Sequence, residues 1–197
     1  HRHGQHNHGY HTGEFRKPVR LFKQPGMAKA IYVSLAVSSA VDVLIVFLPL
    51  FGTENNFSPF AVGVILAIRA GTSMFSRIFL GAIAQKLGSH FLMVSSIVAS
   101  TVFCSAMFFA RTPLSLAISV GITGFALGVG QPLTMSLVSR IARPEDRALA
   151  ISARLTANRV GQFVVPASAG AIAGAAGAGS VFLGLAALLA SSIFTAM

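Results

Sequence analysis

Apolar residues along this chain gather into six long blocks, at 30–51, 60–84, 91–110, 113–138, 149–173 and 178–197. A helix that crosses a bilayer needs roughly 20 mostly apolar residues, and each block reaches that length. The stretches between them, 52–59, 85–90, 111–112, 139–148 and 174–177, are short and rich in helix breakers. None is long enough for an independent soluble domain. The pattern predicts an all-α integral membrane protein with six transmembrane helices. Two regions follow: a polar segment over 1–29 and a six-span bundle over 30–197.

Composition agrees. The chain is 54% hydrophobic and 10% charged, with a mean hydropathy of +0.73. Soluble domains carry about 25% charged residues. Disorder is excluded as well, because it needs low hydrophobicity. Trp is absent and Tyr occurs twice, so interfacial aromatic anchors fall to Phe. The single cysteine, Cys104, excludes an intrachain disulfide framework and a cysteine-based zinc site.

The net charge of +10 is explained by topology. Arg2, Arg16, Lys17, Arg20, Lys23 and Lys29 precede the first span, Lys86 follows the second, and Arg140, Arg143 and Arg147 follow the fourth. Only Arg111 falls on the opposite side. Such a bias marks the cytoplasmic face. Both termini are expected there, and the span number is even. The expected location is a plasma membrane, as in a bacterial inner membrane. Nucleic acid is not an expected partner; the lipid bilayer is. The chain opens on His1 and closes inside an apolar block, and it reads as part of a longer polypeptide.

Two glycine pairs, Gly124/Gly128 and Gly170/Gly174, have the spacing that lets helix backbones approach closely in lipid. Packing within the bundle is the plainer expectation, and dimerisation the other. Pro49, Pro132 and Pro166 fall inside spans and predict kinks.

Ionisable groups at bilayer depth are costly and point to function. Asp42 lies about nine residues before the outer end of span one, and Arg69 about nine after the outer start of span two, which sets both roughly 14 Å deep. They could form a structural ion pair, or a coupling site in which a proton on Asp42 frees Arg69. In span five, Arg154, Asn158 and Gln162 repeat every four residues on one helix face, with Arg159 beside them. That stripe could line a water-filled cavity or bond neighbouring helices. Arg154 is close enough to the cytoplasmic end to snorkel; Arg159 is not. Gln131, beside Pro132, is a weaker cavity candidate, and Arg77 reads as an interfacial anchor.

The stretch Arg77-Ile-Phe-Leu-Gly81-Ala-Ile-Ala-Gln85-Lys86-Leu-Gly88-Ser89-His90 resembles the signature loop of the major facilitator superfamily. Gly81, Lys86 and Gly88 match it. Gln85 stands where that family favours Asp, and Ser89 and His90 where it favours basic residues. The glycines suit a tight turn, and Lys86 can interact with the carbonyl end of span two. Gly124-Phe-Ala-Leu-Gly128-Val-Gly130-Gln131-Pro132 resembles the tenth helix of such transporters, and 139–147 the loop after it. Arg154, Asn158, Arg159 and Gln162, followed by Pro166 and Gly170, resemble the eleventh.

The resemblance implies helices seven to twelve of a twelve-helix fold, with a six-helix N-terminal half as partner. It implies a secondary transporter of small solutes working by alternating access, with no cofactor. Asp42, Arg69 and Arg159 would be the transport and coupling candidates, and Gln131, Arg154, Asn158 and Gln162 would line the cavity. Residues Arg77, Gly81, Gln85, Lys86 and Gly88 would form the gating loop. Proton-coupled efflux of small organic or drug-like molecules is the leading expectation. Uptake of an organic anion is the alternative. A six-span dimer or a non-transport membrane subunit remains from another class. No enzyme motif is evident. His1, His3, His6, His8 and His11 could bind a metal ion weakly, though a solvated loop is the plainer reading. The spans hold no His, which weighs against metal transport.

Overall fold

The computed structural model describes residues 21, 22 and 24–196, and it places six α-helices in that range. They are α1 (Met27–Glu54), α2 (Pro59–Leu87), α3 (Ser89–Phe108), α4 (Pro113–Ile141), α5 (Arg147–Ala176) and α6 (Ala178–Ala196). A single 3-10 turn, Pro144–Asp146, leads into α5. His1, His3, His6, His8 and His11 lie outside the described residues. Among the described residues, no three of His, Cys, Asp and Glu gather as a metal set.

Local chemistry sets the helix starts. Ser58 and Thr112 sit in extended backbone, and each accepts a backbone N–H three residues on, from Ala61 at 3.2 Å and Ser115 at 3.2 Å. Each is followed by a proline at the first helical position, where a missing N–H costs nothing. The helices run unbroken through Pro49, Pro132 and Pro166.

Several connections are tighter than the sequence pattern indicates. Only Gly88 separates α2 from α3, and only Gly177 separates α5 from α6. Both adopt positive φ, 80° and 81°, which a side chain would strain. The turn expected around 85–90 is therefore one residue. Gly81 is not part of it but lies inside α2, and His90 is the second residue of α3 rather than a loop residue.

Helices α1 and α4 form the centre. Helix α4 packs on α2 and α3, α3 on α6, and α1 on α5, α6 and α4. About two thirds of the most apolar stretch of α1 is buried, against 17% for α2, which leans chiefly on α4. The glycine pair of α4 explains that contact. A side chain at Gly124 would strike Arg69 O and Thr72 Oγ1, each at 2.7 Å, and one at Gly128 would strike Ser76 Oγ and, at 2.8 Å, Ser73 O. The pair on α5 behaves differently: a Cβ added at Gly170 or Gly174 would meet nothing within 4 Å, so neither glycine is required by a close helix contact among the described residues.

A second apolar cluster closes one end. Leu21, Met27, Ala30 and Ile31 bury against Val138, Ala142 and Ala150, and Gln24 Nε2 donates to Asp146 Oδ2 at 3.0 Å. The packed region thus begins upstream of residue 30, inside the segment that reads as polar. At the other end Glu54 accepts the Ala178 N–H at 2.9 and 3.1 Å, tying the end of α1 to the start of α6. A carboxylate is favourable there because helix N-termini carry unpaired N–H groups and partial positive charge.

Five of the six helices are long and apolar enough to cross a membrane. The exception is α5. It is 30 residues long, but Arg154, Asn158, Arg159 and Gln162 lower its apolarity. Those residues make α5 the place to look for a site.

Candidate functional site

The polar stripe of α5 faces the groove between α1 and α4, and its members find different partners. Asn158 is buried and joins α5 to α1: its Nδ2 donates to Ser38 Oγ at 3.1 Å, and Ser34 Oγ donates to its Oδ1 at 3.3 Å. Asn158 therefore bonds helices instead of lining a cavity. Arg154 is also buried, and it does not snorkel. Its Nη2 donates at 3.4 Å to both Gln131 O and Thr134 Oγ1 of α4.

One helical turn further, the stripe meets Asp42. Gln162 is hydrogen-bonded to the Asp42 carboxylate and accepts Arg159 Nη1 at 2.9 Å. With the Gln162 Oε1 occupied by Arg159, its amide nitrogen is the donor to Asp42. The result is a guanidinium, amide and carboxylate in series across α5 and α1. Asp42 is half-buried, and its Oδ2 has no hydrogen-bond partner.

The antiparallel register of α1 and α2 does bring Arg69 into the field of Asp42. The direct ion pair expected between them is not formed. Asp42 feels both Arg69 and Arg159, and among the described residues it is in ion-pair contact with neither. The Arg69 Nε is buried without a partner, and its backbone is pressed under Gly124. One carboxylate thus faces two guanidiniums at bilayer depth. Arg77 is not a simple interfacial anchor, since its Nη2 donates to Gln131 Oε1 at 2.7 Å. Gln131 therefore takes Arg77 of α2 on its side chain and Arg154 of α5 on its carbonyl, joining the two least buried helices through α4. In the sequence it ranked as a minor candidate.

The remaining signature residues lie apart. Gly81, Gln85 and Lys86 occupy the last two turns of α2, and Gly88 ends it, with Lys86 in the final turn beside the exposed carbonyls. None approaches Asp42 within hydrogen-bonding range.

Sequence comparison decides the family. The profile of the Major Facilitator Superfamily matches residues 30–197. The chain belongs to the major facilitator superfamily. It is therefore a multi-pass membrane protein of a transporter family. A similar curated protein is a multi-drug resistance efflux pump PmrA homolog of Lactococcus lactis subsp. lactis (strain IL1403), 26% identical over 150 residues. That match covers 76% of this chain and 37% of the relative, so the chain spans well under two thirds of the relative's length.

Sequence reasoning missed Ser34, Ser38, Thr134 and Glu54. The i, i+4 spacing of Ser34 and Ser38 on one apolar helix was a usable signal. The Glu54 contact joins residues 124 positions apart and leaves none in the sequence.

Proposed function

We propose that this chain is half of a facilitator-superfamily secondary transporter that exports small organic molecules in exchange for protons. A second six-helix half is the proposed partner, and alternating access about the shared midplane is the proposed motion. The carrying observation is Asp42. It is the sole carboxylate within the apolar spans, it is half-buried, and it holds an oxygen without a partner beside two guanidiniums. Protonation of Asp42 would loosen the Gln162–Arg159 series and weaken the hold on Arg69. Outward transport is proposed by analogy with the relative's printed description. Cytoplasmic termini and a plasma-membrane location are proposed from the placement of Lys and Arg.

The test is flux in proteoliposomes of the intact native polypeptide. An imposed pH gradient should drive movement of at least one organic dye, and a protonophore should abolish that movement. Flux no faster than in protein-free liposomes, across a panel of cationic, neutral and anionic dyes, would refute the reading.

A further inference from the structure

A second feature of α2 points to what the transporter binds. Arg69 and Arg77 line one groove of about 580 Å³ together with Val41, Ser73, Met74 and Ile78. The two arginines stand eight positions apart, about 12 Å along the helix. Arg69 is the eleventh and Arg77 the nineteenth residue of a 29-residue helix, so both lie at bilayer depth. Neither is in ion-pair contact with a carboxylate among the described residues, and Asp42 is shared with Arg159. Arg69 thus has at most a share of one carboxylate and Arg77 none in contact, and cations at this depth are costly without water or a further counter-charge. The two side chains are also held. The stem of Arg69 lies against Gly124, 3.1 Å from the position a Cβ would take there, and Arg77 is fixed by Gln131 at 2.7 Å. The guanidinium fork suits oxyanions, because its N–H groups match carboxylate, sulfonate and phosphate geometry. Met74 and Ile78 supply apolar wall in the same groove.

From this arrangement we infer that the Arg69–Arg77 groove is a subsite for the anionic group of an organic anion, with the apolar body of that molecule against Met74 and Ile78. The inference rests on the transporter reading above and deepens it by naming a substrate class. It holds for either direction of transport.

The experiment is calorimetric titration of the intact native polypeptide in detergent with two probes of nearly equal shape. One is 2-naphthalenesulfonate, the other the neutral 2-naphthalenesulfonamide. The sulfonate should bind at least tenfold more tightly. Arg69→Gln and Arg77→Gln should each weaken sulfonate binding by about tenfold or more, the scale of a lost charge-assisted hydrogen bond. Both should weaken sulfonamide binding much less than sulfonate binding, and an unchanged elution profile in detergent shows that they fold. Arg69→Lys should restore part of the difference, and Arg111→Gln, far from the groove, should change nothing. Equal binding of both probes, no binding of the sulfonate, or sulfonate binding untouched in both glutamine variants would overturn the inference. Failure of pH-driven dye flux together with a tenfold sulfonate preference would instead count against proton-coupled transport alone.

Discussion

Gly128→Ala tests how the bundle holds α2. A Cβ at Gly128 would lie 2.8 Å from Ser73 O and 2.9 Å from Ser73 Cα, besides striking Ser76 Oγ. Optimal carbon contacts are about 3.5–4.0 Å, so backbone must move by roughly half an ångström or more. Two of the obstructing atoms belong to the α2 main chain and cannot swing aside. Overpacking of this kind costs about 1–3 kcal/mol. Alanine also raises helix propensity by about 1 kcal/mol over glycine. Gly170→Ala carries the same propensity gain with nothing within 4 Å, so the difference between the two variants isolates packing. At about 2–4 °C per kcal/mol for a domain of this size, the unfolding midpoint of Gly128→Ala should fall roughly 2–12 °C below that of Gly170→Ala. Cys104 is buried and is the only cysteine in the chain, so a maleimide dye that fluoresces on reaction reads the transition. Equal midpoints for the two variants would refute the claim that α4 holds α2 by backbone contact.

Other substitutions probe separate joints. Asn158→Ala removes both bonds to Ser34 and Ser38 and should cost about 1 kcal/mol, from a mean of about 0.6 kcal/mol per interhelical bond in membranes, read by the same thiol assay. A wild-type midpoint would mean that the α1–α5 contact is held by packing alone. Glu54→Gln keeps the shape but removes the charge at the start of α6, and it should cost about 0.3–1 kcal/mol. Glu54→Asp retracts the carboxylate by one methylene and should lose part of the same contact.

The sequence and the structure agree on what periodicity controls. Six apolar blocks separated by breakers become six helices, and Pro59 and Pro113 mark two of their starts. Gly124 and Gly128 are legible as close-packing positions because small residues at that spacing have one physical use in lipid. Gly170 and Gly174 have the same spacing and do not pack here, since spacing names a face but not its neighbour. The polar stripe of α5 could be read as one face. Its division among Thr134, Ser34, Ser38 and Asp42 depends on how α5 lies across α1 and α4. The Asp42–Arg69 proximity followed from helix register, whereas the intervention of Gln162 and Arg159 required a third helix. Arg154 illustrates the limit of depth arguments. Its distance from the helix end allowed snorkelling, but the side chain turns to hydrogen-bond acceptors on α4.

One comparison tests whether Asp42 couples proton movement to transport. The intact native polypeptide and its Asp42→Asn variant are reconstituted, and dye movement is followed with and without a pH gradient. Asp42→Asn is expected to lose gradient-driven accumulation while retaining downhill exchange of dye between the two sides. Accumulation in Asp42→Asn equal to that of the native protein, with the same dependence on the gradient, would contradict it.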